Sequence, residues 1–218
     1  MQRGTGPVTQ WLIAINVIVF VIANIELTLS GGFSWIYTLL TLQYSLVLQG
    51  WVWQLFTAMF MHAPLIDNPF HILFNMFALW QYGSLNERLY SHKQYLAIYL
   101  GAGLIGNIAS LLVYASSPTG IGRFLVGPAS LGASGAIFGL IGSFVAYAKG
   151  SRAYGTALFN AILVFAISSF AIGVVNVIAH LFGILSGYTL GRYIIKPVQS
   201  VYTVQYQTVG PPPEYPWR

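Results

Sequence analysis

The chain has no cysteine and only four acidic residues, with Asp67 its single aspartate. The first absence excludes disulfides, thiolate metal centres and a cysteine nucleophile. The second excludes a two-aspartate site within one copy. No HExxH pair is present either, so the helical zinc-hydrolase arrangement is missing and no cofactor is implied. Charge of either sign is scarce: 6% of the 218 residues are charged against 56% hydrophobic, with a mean hydropathy of +0.70. Soluble domains carry about 25% charged residues, so this composition cannot cover a water-facing surface. The net charge of +5 comes from nine Lys and Arg scattered along the chain. They form no patch, which argues against a nucleic-acid partner.

Long apolar runs take the place of charge. Six of them, at 9–29, 68–86, 94–115, 132–149, 154–172 and 176–195, are of the length that crosses a bilayer as a helix, roughly 20 residues. The first follows Arg3 and resembles a signal peptide, but no small-x-small cleavage site follows it, so it is retained as a span. Nearly forty residues without Lys or Arg then separate the first two spans, apolar yet broken by Gly50, glutamines and prolines. With Trp35, Trp51 and Trp53 spread through it, this stretch is expected to form short helices in the membrane interface. The expected fold is an all-α polytopic membrane domain over residues 1–196, followed by a polar, proline-rich cytoplasmic tail at 197–218. On six spans, Arg3, Arg88, Lys93, Lys149, Arg152, Arg192, Lys196 and Arg218 fall on one side and only Arg123 on the other. The positive-inside rule then places both termini in the cytoplasm of a plasma-membrane protein, and a seventh span would scramble this asymmetry.

A few polar side chains remain inside the spans. Ser134 lies 15 residues before Lys149, His71 16 before Glu87 and His180 16 before Lys196. At 1.5 Å per residue and a hydrocarbon core of about 30 Å, all three sit roughly 6–8 Å below the outer surface. Their helix faces agree. His180, Gly183, Gly187 and Gly191 form one stripe, and Gly135, Gly139 and Gly142 another beside Ser134, so two backbones can approach closely. His71 and Asn75 are one turn apart on a common face and can both donate to a developing negative oxygen. The Ser134 backbone N–H, at a helix start, is a further donor. Singly, such residues have plain roles. A serine in a span commonly bonds its own backbone, and glycine stripes commonly serve packing. Together they supply a nucleophile, a base and oxyanion donors at one depth. No carboxylate lies at that depth on these three spans, so the arrangement is a Ser–His dyad. The GxSxG elbow does not apply, since no strand precedes the serine. His62, near the outer mouth, is read as a structural hydrogen-bonding residue and His92 as a solvated surface residue.

These motifs resemble the rhomboid family of intramembrane serine proteases. "GASGAIFG" (132–139) is similar to the family's GxSGxxxG, "AHLFGILSG" (179–187) to its AHxxGxxxG, and "HILFNMFALWQYGSLNERL" (71–89) to its second span. The resemblance covers about residues 50–191, with the motifs in the family's order. It implies Ser134 as nucleophile and His180 as general base stacked near Phe138. His71, Asn75 and the Ser134 N–H would serve as the oxyanion site, with Gly132, Gly135 and Asn176 in support; Asn176 stands where the family often has Asp or Asn. It further implies transmembrane protein substrates entering from the lipid bilayer, a site opening toward the outer face, and a movable cover made of the fifth span and the connection after it, with Phe74 against that cover. Two departures stand out: Trp53-Gln54 replaces the family's Trp-Arg pair, and the stretch from His62 to His71 is longer than usual. Two other classes compete with proteolysis. A non-catalytic relative that binds transmembrane clients would usually lack the serine or histidine. A channel or transporter would carry polar residues beyond the outer half.

Overall fold

The computed structural model describes residues 6–167 and 176–198, and helices are its only regular elements apart from one isolated β-bridge. The first, α1 (Pro7–Leu29), starts where Pro7 has no N–H to lose, and the two N–H groups that follow it are capped from outside the helix. Val8 N and Thr9 N donate to the Glu87 carboxylate at 2.8 and 3.0 Å, and Thr9 Oγ1 donates to it at 2.7 Å. The helix stops at Gly31 and Gly32, both at positive φ. The following stretch forms the short helices α2 (Trp35–Leu40), α3 (Tyr44–Leu48) and α4 (Gln54–Thr57), the last running into a 3₁₀ turn at Ala58–Phe60. Gln54, wholly buried, holds them together. Its Oε1 accepts from Gln43 N at 2.9 Å and its Nε2 donates to Thr38 O at 2.9 Å. An uncharged amide thus organises the first loop at the position where this sequence departs from the Trp-Arg pair.

The second expected span is a continuous rod: α5 (Pro69–Ala78), a π-helical segment (Leu79–Gly83) and α6 (Ser84–Leu89). A Ser91–Gln94 capping box opens α7 (His92–Ser116). After α8 (Gly120–Val126) the chain is extended, pairing Ser130 with Leu42 through bonds of 2.9 and 3.0 Å in both directions. The fourth helix, α9 (Ser134–Ala148), begins only at Ser134, because Gly132 at φ +121 breaks the helix before it. Its 15 residues span about 22 Å, short of a core of about 30 Å. α10 (Tyr154–Ala166) follows, then α11 (Val177–Thr189), which continues through a π-helical segment to Ile194. The expected fifth span runs past 167 and the expected tail past 198, outside the described residues. So does most of the connection between α10 and α11.

α9 is buried on nearly every face and forms the axis of the molecule. α7 and α11 pack on it through small residues. A methyl group at Gly183 would strike the Gly135 carbonyl, one at Gly187 the Gly139 carbonyl, and one at Gly106 would meet Ala179 O at 2.7 Å. Such contact lets short polar side chains on neighbouring helices meet. The outward faces carry Ile18, Ile22, Ile25, Leu73, Phe77, Phe159 and Ile162, each more than half exposed. An apolar belt of this extent belongs against lipid, not water. Among the described residues two helices, α1 and α7, have the length and composition to cross a bilayer unaided.

Candidate active site

Ser134 and His180 meet where α9 and α11 cross, with Ser134 Oγ 2.8 Å from His180 Nε2. Phe138, one turn along α9, lies against the imidazole at 4.5 Å between ring centroids. Phe165 of α10 completes an aromatic wall, 5.8 Å from Phe138 and 6.5 Å from His180. α10 therefore supplies one wall beside the histidine. Phe74, expected against that cover, is half exposed and stacks on Phe70 of its own helix at 6.0 Å.

A cavity of about 150 Å³ opens in front of the pair, lined by His71, Gly132, Gly135 and Asn176 among others. His71 has a defined tautomer. Its Nδ1 accepts from Ala63 N at 3.1 Å, so the neutral ring carries its proton on Nε2. That nitrogen packs against Gly132, where a Cβ would stand 3.0 Å from it, so Gly132 is required by space as well as by φ. Ile137 N is the first amide of α9 to bond back, to Ala133 O at 2.9 Å. The N–H groups of Ser134, Gly135 and Ala136 precede it and have no intrahelical partner. A side-chain donor and helix-terminal donors thus face one space. Asn75 does not line it: its amide donates to His71 O at 2.8 Å, and its Oδ1 is buried without a partner among the described residues.

Asn176 ties the site together. Its Oδ1 caps α11 by accepting from Ala179 N at 2.9 Å and also accepts from Ser110 Oγ at 3.0 Å. Its Nδ2 donates to Tyr44 OH and Ser130 Oγ, both at 3.0 Å. Ser130 lies four residues before Ser134 and Asn176 four before His180, so this bond crosslinks the approaches to both members of the pair. Tyr44, Ser110 and Ser130 were not legible as site residues, since no spacing joins the first loop to α7 and α11. His62, in the first loop, is wholly buried, with its ring 5.3 Å from that of His71 and no hydrogen bond from either nitrogen among the described residues. Burial, with His71 close by, pushes its pKa down to about 3. His92 is exposed as expected, yet stands 3.6 Å from Glu87.

An all-helical membrane fold with a serine bonded to a histidine beside a polar cavity defines the class. The sequence profile of the Rhomboid domain matches residues 49–197. The chain is 31% identical to the rhomboid protease GluP of Bacillus subtilis (strain 168) over 195 residues, which are 86% of this chain and 34% of GluP. It is 30% identical over 165 residues to the putative rhomboid protease YdcA of the same organism, covering 72% of this chain and 74% of YdcA. It is 32% identical over 155 residues to RHOMBOID-like protein 6, mitochondrial, of Arabidopsis thaliana, covering 68% of this chain and 45% of that protein. The chain belongs to the rhomboid family and is membrane-embedded. It spans about a third of the length of GluP and about three quarters of YdcA.

Proposed function

We propose that this protein is an intramembrane serine endopeptidase acting on transmembrane segments of other proteins. The observation that carries the reading is the 2.8 Å contact between Ser134 and His180 at a polar cavity. His180 Nε2 takes the hydroxyl proton as Ser134 Oγ attacks the substrate carbonyl. The oxyanion is received by His71 Nε2–H and the N–H groups opening α9, with Asn75 behind them, its amide bonded to the His71 carbonyl. His180 then protonates the departing amine, and water releases the acyl group by the same route. No third acid is needed to orient a ring already fixed by Phe138, Phe165 and the capped start of α11. A client-binding protein without chemistry would not need this pairing.

The chain crosses the plasma membrane six times, with both termini cytoplasmic and the cavity facing outward. The Lys and Arg asymmetry supports this, and a reporter after Arg218 active only outside the cell contradicts it. Residues 1–196 form one membrane domain and 197–218 a tail. The test of function is cleavage of a model transmembrane substrate in proteoliposomes. Wild type cleaves and Ser134→Ala, equally folded, does not. Equal cleavage by both refutes the proposal.

A further inference from the structure

We infer that the long turn between His62 and His71 gives the cavity a substrate-reading lip, with the Asn68 carboxamide recognising an uncharged hydrogen-bonding side chain close to the cleaved bond. The inference rests on the proteolytic reading above. Ala63 and Asn68 line the same cavity as Ser134, on the His71 side. The turn is held at every step. Asp67 N and Asn68 N both donate to Pro64 O at 3.0 Å, and Leu65 N donates to Asn24 Oδ1 on α1 at 2.8 Å. Ala63 N is held by His71 Nδ1 at 3.1 Å, and Asn68 O accepts from His71 N at 3.2 Å. Pro64 and Pro69 fix φ at both ends. The backbone carrying Asn68 is therefore set in place before any substrate arrives.

The Asn68 side chain alone is uncommitted. It is half-buried, makes no capping bond at the start of α5, and forms no hydrogen bond among the described residues. An amide offers two donors and a carbonyl acceptor, a set matched by Ser, Thr, Asn or Gln and not by an aliphatic side chain. A substrate placing an apolar residue there leaves the amide unpaired as water is excluded, and that difference is the discrimination. Asn68 and Ser134 line one cavity of about 150 Å³, so the residue read lies close to the scissile carbonyl.

The test uses the full chain in proteoliposomes and a substrate series in which each position flanking the cleaved bond is exchanged between Thr and Val and between Asn and Leu. Wild type should show, at one position, a kcat/KM preference for the polar member of about 3- to 10-fold, the worth of one net hydrogen bond. Asn68→Leu should abolish that preference by raising KM for the polar substrates, and Asn68→Gln, which keeps the amide, should retain part of it. Wild type cleaving the series without such a preference, or Asn68→Leu slowing every substrate alike, overturns the lip while leaving proteolysis standing. Wild type cleaving no member overturns both.

Discussion

Two polar clusters sit in this apolar fold, and they differ in kind. At one, the Glu87 side chain is nearly inaccessible and accepts three hydrogen bonds from the start of α1. Thr9 Oγ1 also lies 3.3 Å from Tyr95 OH, leaving little polar capacity unspent. At the other, Ser134, His180, His71 and Asn68 face a cavity. Polar groups that saturate one another hold helices together, whereas groups that face space are positioned for something to arrive. Asn176 shows both behaviours side by side: it stands at the cavity wall, yet its side chain is fully bonded, which makes it a positioning residue.

Substitution should separate the clusters by what it changes. Beyond the Ser134–His180 pair itself, the largest effect is expected at His71. Removing it takes away a preorganised oxyanion donor, worth roughly 10²–10³ in rate elsewhere. His71→Ala should therefore lower kcat by about 10²-fold at little change in KM. Asn75→Ala should cost less, because Asn75 lies behind the wall. Equal losses would show that Asn75 reaches the oxyanion after all. Asn176→Ala comes next, with kcat down about tenfold as the cap of α11 and the crosslink to Ser130 are lost, effects of about 1 kcal/mol each. Asn176→Asp should retain the cap and recover part of the rate. No recovery would reduce Asn176 to packing.

At the other cluster the sign of the experiment changes. Glu87→Ala should lower stability by about 2–3 kcal/mol, since bonds to a charged group are lost at a helix start, with kcat of the folded fraction intact. A fall in kcat without a fall in stability would erase the distinction drawn here.

The effect that is smallest near neutral pH, and grows only in acid, concerns His62. His62, in the first loop, has its pKa lowered to about 3, against about 6.5 in an unfolded chain. The fold thus excludes a proton that the unfolded chain binds. The contribution is complete above pH about 6.5 and erodes as the pH falls from there toward 3, by about 1.4 kcal/mol per pH unit. The melting temperature should decline across that window, and His62→Leu should flatten the decline. An unchanged slope would assign the titration to another group.

Much of this was legible before any coordinates. Motif spacing placed Ser134 and His180 on facing glycine stripes, because a 3.6-residue period and small side chains dictate which helix faces can touch. Depth counting from the flanking charges brought His71 to the same level. The apolar run opened at 132, two residues before α9, since it does not reveal that Gly132 takes a left-handed φ, although Ser134 itself was read at a helix start. The arrangement of the first loop was not legible. Tyr44 and Gln54 act there through contacts between segments far apart in sequence, and no periodicity encodes them. His62 was read as a structural residue near the outer mouth, and only packing shows that it is wholly buried with its ring beside that of His71.

The central claim is that Ser134 is a nucleophile activated by His180, and covalent capture tests it most directly. Wild-type protein in detergent is treated with a fluorophosphonate and the adduct located by peptide mass spectrometry, with His180→Ala handled in parallel. The account predicts a single adduct on Ser134, lost in His180→Ala although that variant remains folded. An unlabelled Ser134 in active wild-type protein, or labelling undiminished without His180, would contradict it.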